Sequence, residues 1–270
     1  MSTNKGEFLG TAFRAIILSG DFIRKNIGNI SNYNINIKQA SDFVTDIDRE
    51  SEQIIIRIIK KDYPYHHFLT EESLKDADTD DYRWIIDPLD GTTNFIHGYP
   101  VFSVSIALEY QGEIILGLVY DPLREEIFSA EKGKGAFLNG SPFRVSSVSN
   151  LDSSIIATGF PFRKKDMIDD YLKLFKNIFH RVSDIRRGGS AALDLSYVAC
   201  GRCEGFFEIG LSPWDVAAGS ILVKEAGGVF TDFSGNSDHI FTGNIVAGTP
   251  ALHGEILNEV QGVFKGIIDR

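Results

Sequence analysis

The chain has 270 residues, 43% of them hydrophobic and 24% charged, which supplies a full core and argues against disorder. Its formal charge of −10 excludes a general binder of nucleic acid or anionic membrane, and poses a puzzle if the substrate is an anion. No apolar run approaches the ~20 residues that span a bilayer, and MSTNKGEFLG lacks the apolar stretch of a signal peptide, so a cytoplasmic protein is expected.

Phe8, Ala12, Ile16, Phe22, Ile23 and Ile27 recur at helical spacing over 7–27, with Gly28 as a stop. A second helix is predicted over about 46–62, where Thr45 and Asp48 fit a capping box and Pro64 follows the end. HHFLT reads as a short strand leading into Glu71-Glu72, SLKDADTDD as a solvated acidic loop, and YRWIID as a strand ending at Asp87. From 101 to 145, VFSVSIALEY, EIILGLVYD, EEIFSAE and the Asn139-Gly140 turn predict an antiparallel meander.

From 153 onward strand and helix alternate. SIIATGF is a strand, 166–180 a helix, SAALDLSYVAC a helix and GFFEIG a strand. Pro213 suits the first position of the next helix, with Ser212 as its cap. GGVFTD and NIVAGT are strands, and 251–268 is helical. Strands therefore pack against helices on both sides of a changeover near 150. The expectation is a layered α/β or α+β sandwich of two halves, 1–150 and 151–270, forming one unit with the site in the cleft between them. Cys200 and Cys203, the only cysteines, flank a glycine at a helix end. A redox pair would sit at a helix start, so core or surface thiols are the favoured reading over redox or metal roles.

The stretch WIIDPLDGTTNF, 84–95, stands out. Asp87 and Asp90 follow three large apolar residues; turn chemistry alone accounts for such a motif. Context adds a second reading. Leu89 offers a backbone carbonyl, and Gly91-Thr92-Thr93 opens a short helix whose N–H groups suit a phosphate. Glu71 and Asp215 also lie where elements end or begin. Two like charges ~4 Å apart repel by roughly 4 kcal/mol at an effective dielectric of 20. Converging carboxylates therefore need protons or a metal, and oxygen donors without histidine favour Mg²⁺. Bound metal would also let an acidic protein hold a phosphate. His66 and His67 precede a strand without partners and are not read as ligands.

The blocks DFVTDIDRE (42–50), TEES (70–73), WIIDPLDGTTNF (84–95), GSAALDLSYVACGRCEGFFEIG (189–210) and PWDVAAGSILVKEAGG (213–228) resemble the inositol monophosphatase family, Mg²⁺-dependent and lithium-sensitive. The resemblance runs over nearly the whole chain, in order. It implies a five-layer αβαβα sandwich, usually dimeric, that hydrolyses inositol 1-phosphate and related polyol phosphates. It implies Glu71, Asp87 and the Leu89 carbonyl as ligands of one metal, Asp87, Asp90 and Asp215 as ligands of a second, and a third, weaker ion at Glu71. Asp48 and Thr92 resemble the pair that orients the attacking water, and Gly91 and Thr92 the phosphate contacts. Gly189, Ser190, Ala191 and Glu208 align with residues that touch the substrate, a task Asp90 would share, and Arg186 with a substrate-side arginine.

Plainer readings stand beside these. Asp48 caps a helix, Glu208 is a strand-end charge, and Arg186 with Arg187 is a solvated basic pair. Sister phosphatases of fructose 1,6-bisphosphate or histidinol phosphate share the metal core. Some bacterial members assist transcription antitermination, so GFPFRKK and DIRRGGSAALDL could instead face RNA polymerase or its elongation factors.

Overall fold

A computed structural model describes residues 5–28, 35–39, 42–76, 81–236 and 240–266. Helix α1 (Lys5–Lys25) buries Phe8, Ala12, Ala15, Ile16 and Ile23. A two-stranded ribbon, β1 (Ile35–Gln39) with β2 (Asp42–Thr45), leads into α2 (Asp46–Asp62). The capping box is present: Asp48 N donates to Thr45 Oγ1 at 3.4 Å and Thr45 N to Asp48 Oδ2 at 2.8 Å. Strand β3 (His67–Thr70) runs parallel to β4 (Arg83–Asp90). After the short helix α3 (Thr92–Ile96) comes the expected meander: β5 (Ser103–Tyr110), β6 (Glu113–Asp121), β7 (Glu126–Glu131), β8 (Gly135–Leu138) and β9 (Ser141–Phe143). β3 to β9 form one seven-stranded sheet in chain order. Asn139 and Gly140, both at positive φ, make the tight turn between β8 and β9.

The second sheet uses β10 (Ile155–Thr158), β11 (Asp184–Arg186), β12 (Gly205–Ile209), β13 (Val229–Asp232) and β14 (Asn244–Gly248), in the order β11-β10-β12-β14-β13. Between them lie α4 (Ile168–Phe179), α5 (Ala191–Ala199) and α6 (Pro213–Glu225), and α7 (His253–Phe264) closes the described chain. Some details differ from the sequence reading. A 3-10 turn at Lys165–Met167 takes the start of the helix predicted over 166–180. Strand β11 is three residues long, charged at both ends and at a sheet edge, so no alternation betrays it.

Five layers result, α1/α2, the large sheet, α5/α6, the small sheet and α4/α7, which bears out the expected αβαβα sandwich. The middle layer is apolar nearly all round, since it packs on both sheets. Glycines set its close approach. A Cβ on Gly219 of α6 would lie 2.5 Å from Leu195 of α5, and one on Gly117 of β6 would lie 2.5 Å from Ile221 of α6.

β4 does not stop at Asp87 as its sequence suggested; it continues to Asp90 through a bulge. Asp87 pairs with Ser105 and Asp90 with Ser103, three residues against two. In a regular strand, residues an odd number apart face opposite sides; the extra residue puts both aspartates on one side. Pro88, which has no N–H to give the ladder, sits within the irregularity, and its carbonyl accepts from Ser51 Oγ of α2 at 2.8 Å. The acidic loop is also less free than read. Phe68 N donates to Asp76 Oδ2 at 2.8 Å and Lys75 bridges to Leu69, while 77–80 lie outside the described residues.

Candidate active site

A cavity of about 430 Å³ opens where the end of β4, the first turns of α3 and α6, and the end of β12 meet. Glu71, Asp87, Leu89, Asp90, Gly91, Thr92, Gly189, Ala191, Glu208 and Asp215, all singled out in the sequence, line it. Gly91 has φ 96°, and a Cβ there would lie 3.0 Å from the Val101 carbonyl, so the turn from β4 into α3 requires glycine.

Each carboxylate has a mount. Asp90 Oδ2 accepts from Ser190 Oγ at 2.6 Å and from Ala192 N at 2.8 Å, which ties the bulge to the first turn of α5. Asp87 Oδ1 accepts from Leu89 N at 3.0 Å. Asp215 Oδ2 accepts from Ser212 N at 2.7 Å, as a helix-capping carboxylate does, and from Arg163 Nη1 at 2.9 Å. The turn carrying Glu71 hangs on Glu52, fully buried in α2, whose Oε2 accepts from Glu72 N at 2.9 Å and which also accepts from Ser73 Oγ. Thr92 Oγ1 is 2.8 Å from Asp48 Oδ1 and 3.0 Å from the Leu89 carbonyl.

Burial and mutual repulsion dominate the electrostatics. Burial, then the charges of Glu71, Asp90 and Asp215, hold the Asp87 carboxyl well above the usual range. Burial and Asp215 push Asp90 up to about 7, against the hydrogen bonds from Ser190 and Ala192. Glu208 and Asp194 are raised well above their ordinary values, chiefly by burial and then by neighbouring carboxylates, with Arg187 opposing in both. Burial also raises Asp48, against hydrogen bonds from Thr45 and Thr92.

Among the described residues, no three His, Cys, Asp or Glu side chains close on one point as they stand. The donor set nonetheless suits a hard divalent cation. Glu71, Asp87, Asp90, Asp215 and the Leu89 carbonyl face one cavity with no histidine or cysteine among its lining residues, and their repulsion is what a cation would relieve.

Residues 4–264 match the model of the inositol monophosphatase family. The chain belongs to that family. It is 50% identical over 263 residues to Nus factor SuhB of Escherichia coli K12, covering 97% of this chain and 98% of that protein. The solved extragenic suppressor protein suhB of Bartonella henselae superposes with a TM-score of 0.91 at 41% identity, covering 94% of this chain and 98% of that one. An IMPase from Thermotoga maritima gives 0.88 at 37% identity, covering 97% and 99%.

Three residues assigned to the site by family resemblance do not line the cavity wall. Arg186 does not line the cavity: on edge strand β11 its guanidinium pairs with Asp184 at 2.5 Å, and the adjacent Arg187 takes the wall instead. Ser190 is fully buried behind Asp90, where its hydroxyl braces that carboxylate. Asp48 is likewise buried and reaches the cavity only through Thr92.

Others were missed. Arg163 belongs to the basic block GFPFRKK, yet it lies on the cavity and bonds Asp215. Arg187 leans on Phe162, 5.1 Å from the ring centre. Asn94 Nδ2 donates to the Val101 carbonyl at 2.7 Å and the Gly188 carbonyl at 3.0 Å, joining the two sheet regions beside the cavity. The pair Gly188-Gly189 was the available signal: side chains there would run into Asp194, and into Arg187 and Asn94.

Proposed function

We propose that this phosphatase-family chain is a Mg²⁺-dependent phosphate monoester hydrolase acting on inositol 1-phosphate and related polyol phosphates. The observation that carries the reading is the convergence of Glu71, Asp87, Asp90 and Asp215 on one cavity that also holds Gly91 and Thr92. Glu71, Asp87, Asp90, Asp215 and the Leu89 carbonyl would hold two ions, with a third, weaker one at Glu71. When bound, Mg²⁺ supplies Lewis-acid stabilisation of the phosphoryl oxygens and lowers the pKa of water.

The chain's own residues do the rest. Thr92 Oγ1 accepts a proton from the attacking water as its own passes to Asp48 Oδ1, 2.8 Å away. Burial makes Asp48 a ready acceptor, because it disfavours the charged form. The N–H groups of Gly91 and Thr92 orient the phosphate. Glu208 and the backbone at Gly189 and Ala191 meet the polyol, with Arg187 rather than Arg186 as the substrate-side arginine. The test is phosphate release from inositol, sugar and nucleotide monoesters across Mg²⁺ concentrations. Turnover of polyol phosphates that EDTA abolishes is expected; undiminished turnover after exhaustive EDTA treatment would overturn the reading.

A second reading rests on one finding, the 50% identity to a protein named a Nus factor. A transcription-complex partner would meet the basic residues Arg163, Lys164, Lys165 and Arg186, all four of them exposed. Retention of this chain by transcription elongation factors in a pull-down supports it; passage through without retention removes it. No helix among the described residues is long and apolar enough to cross a membrane. A cytoplasmic homodimer fits both readings.

A further inference from the structure

We infer that Arg163 is the resident counter-cation of Asp215: it holds that carboxylate in the metal-free protein and competes with a divalent ion for it. The inference rests on the reading above, in which Asp215 is a metal ligand.

The contact spans 52 residues of sequence and is built from both sides. On one side, Phe162 N donates to the Phe160 carbonyl at 2.7 Å and Lys164 N to the Pro161 carbonyl at 2.9 Å, which winds 160–164 into a tight turn. That turn packs over Gly210, where a Cβ would lie 3.2 Å from Lys164 Cγ and 3.9 Å from Arg163 Cβ. On the other side, Ser212 N fixes Asp215 Oδ2 at 2.7 Å, and the guanidinium reaches the same oxygen.

The exposures are unequal. The Asp215 side chain is 7% exposed and that of Arg163 is 42% exposed. A carboxylate this buried, facing Asp87 and Asp90 across one cavity, needs a positive charge nearby. Arg163 supplies one, and its half-exposed head loses little by swinging into water once another cation arrives. An ion carrying two charges on several oxygens outcompetes one guanidinium bond, at a cost in affinity equal to breaking that bond. A residue that merely supported the local fold would behave differently, because removing it would loosen the site and weaken metal binding.

The test uses the full chain stripped with EDTA, titrated with Mg²⁺ and Mn²⁺ by calorimetry and melted without metal. Arg163→Met should bind the ion about fivefold more tightly, the scale of a partly exposed ion pair. The same variant should melt lower than wild type in EDTA, since Asp215 then lacks its counter-charge. Arg163→Lys should fall between the two in both measurements. Metal binding in Arg163→Met that is unchanged or weaker, while Asp215→Asn weakens it, overturns the inference alone. If Asp215→Asn binds the ion as tightly as wild type, the ligand assignment fails and the inference fails with it.

Discussion

Thr92 Oγ1 lies 2.8 Å from Asp48 Oδ1, joining the first turn of α3 to the first turn of α2 across 44 residues of sequence. The other Asp48 oxygen, Oδ2, accepts from Thr45 N at 2.8 Å and Thr45 Oγ1 at 2.5 Å. Helix cap and partner of the site threonine are therefore compatible roles, because they use different oxygens of one carboxyl.

Thr92→Ala removes the hydroxyl and leaves the cap intact. Turnover should fall by about 10² or more, the scale of a lost general acid–base relay, with Mg²⁺ affinity and melting temperature close to wild type. Thr92→Ser should keep most of the activity. Phosphate-release kinetics with a calorimetric Mg²⁺ titration check this, and wild-type turnover in Thr92→Ala would remove the relay.

Asp90 ties metal loading to pH. Burial, then Asp215, raises its pKa from 3.8 to about 7 in the folded protein, and burial with its neighbours drives Asp87 the same way. A carboxyl raised on folding binds its proton more tightly in the native state, so its contribution is full below 3.8 and is lost as pH rises through about 7. Without metal, the melting temperature should therefore fall between pH 5 and pH 8, and saturating Mg²⁺ should flatten or reverse the fall. Asp90→Asn should blunt the metal-free slope. Calorimetric melts in EDTA and in Mg²⁺ decide it; parallel curves count against the cation.

Much of this was legible in the sequence, for physical reasons. The capping box at Thr45 and Asp48 and the Asn139-Gly140 turn are local, so neighbouring residues suffice to specify them. The Asp87–Asp90 pair was visible as chemistry but not as geometry. A bulge depends on the partner strand, and only the pairing with Ser105 and Ser103 shows that both aspartates share a side. The Arg163–Asp215 bond and the burial of Ser190 depend on segments far apart in sequence. Choosing Arg187 over Arg186 required the course of a three-residue strand that carries no pattern of its own.

Gly189 tests how the cavity wall is held. Its φ is +89°, and a Cβ would lie 2.5 Å from Arg187 Nη1 and 2.9 Å from Asn94 Nδ2. Gly189→Ala should cost about 1–3 kcal/mol from backbone strain alone and should raise KM by displacing Arg187. Gly254→Ala is the control, since Gly254 lies in α7 with nothing within 4 Å of its added Cβ; it should be neutral or slightly stabilising. Urea unfolding of both variants makes the comparison, and equal stabilities would show that the tight wall can relax.

His66 predicts an acid sensitivity of opposite sign to that of Asp90. Its ring stacks between Tyr63 at 4.7 Å and Tyr82 at 4.8 Å, and its Nδ1 is 3.0 Å from Trp84 Nε1. The indole N–H can only donate, so Nδ1 must accept and the imidazole must be neutral. Burial, then the neighbouring His67, lowers its pKa from 6.5 to about 4. A depressed base contributes stability that is present above 6.5 and is lost as pH falls through about 4. His66→Phe keeps an aromatic ring in the stack but cannot be protonated and strands the Trp84 N–H. It should therefore be less stable than wild type at pH 7. It should also lose less further stability on going to pH 4. Urea unfolding with and without His66→Phe in an Asp90→Asn background removes the Asp90 contribution, and the difference between the two profiles cancels that of the remaining buried carboxylates. A His66→Phe profile as steep as that of wild type over this range would place the acid sensitivity elsewhere.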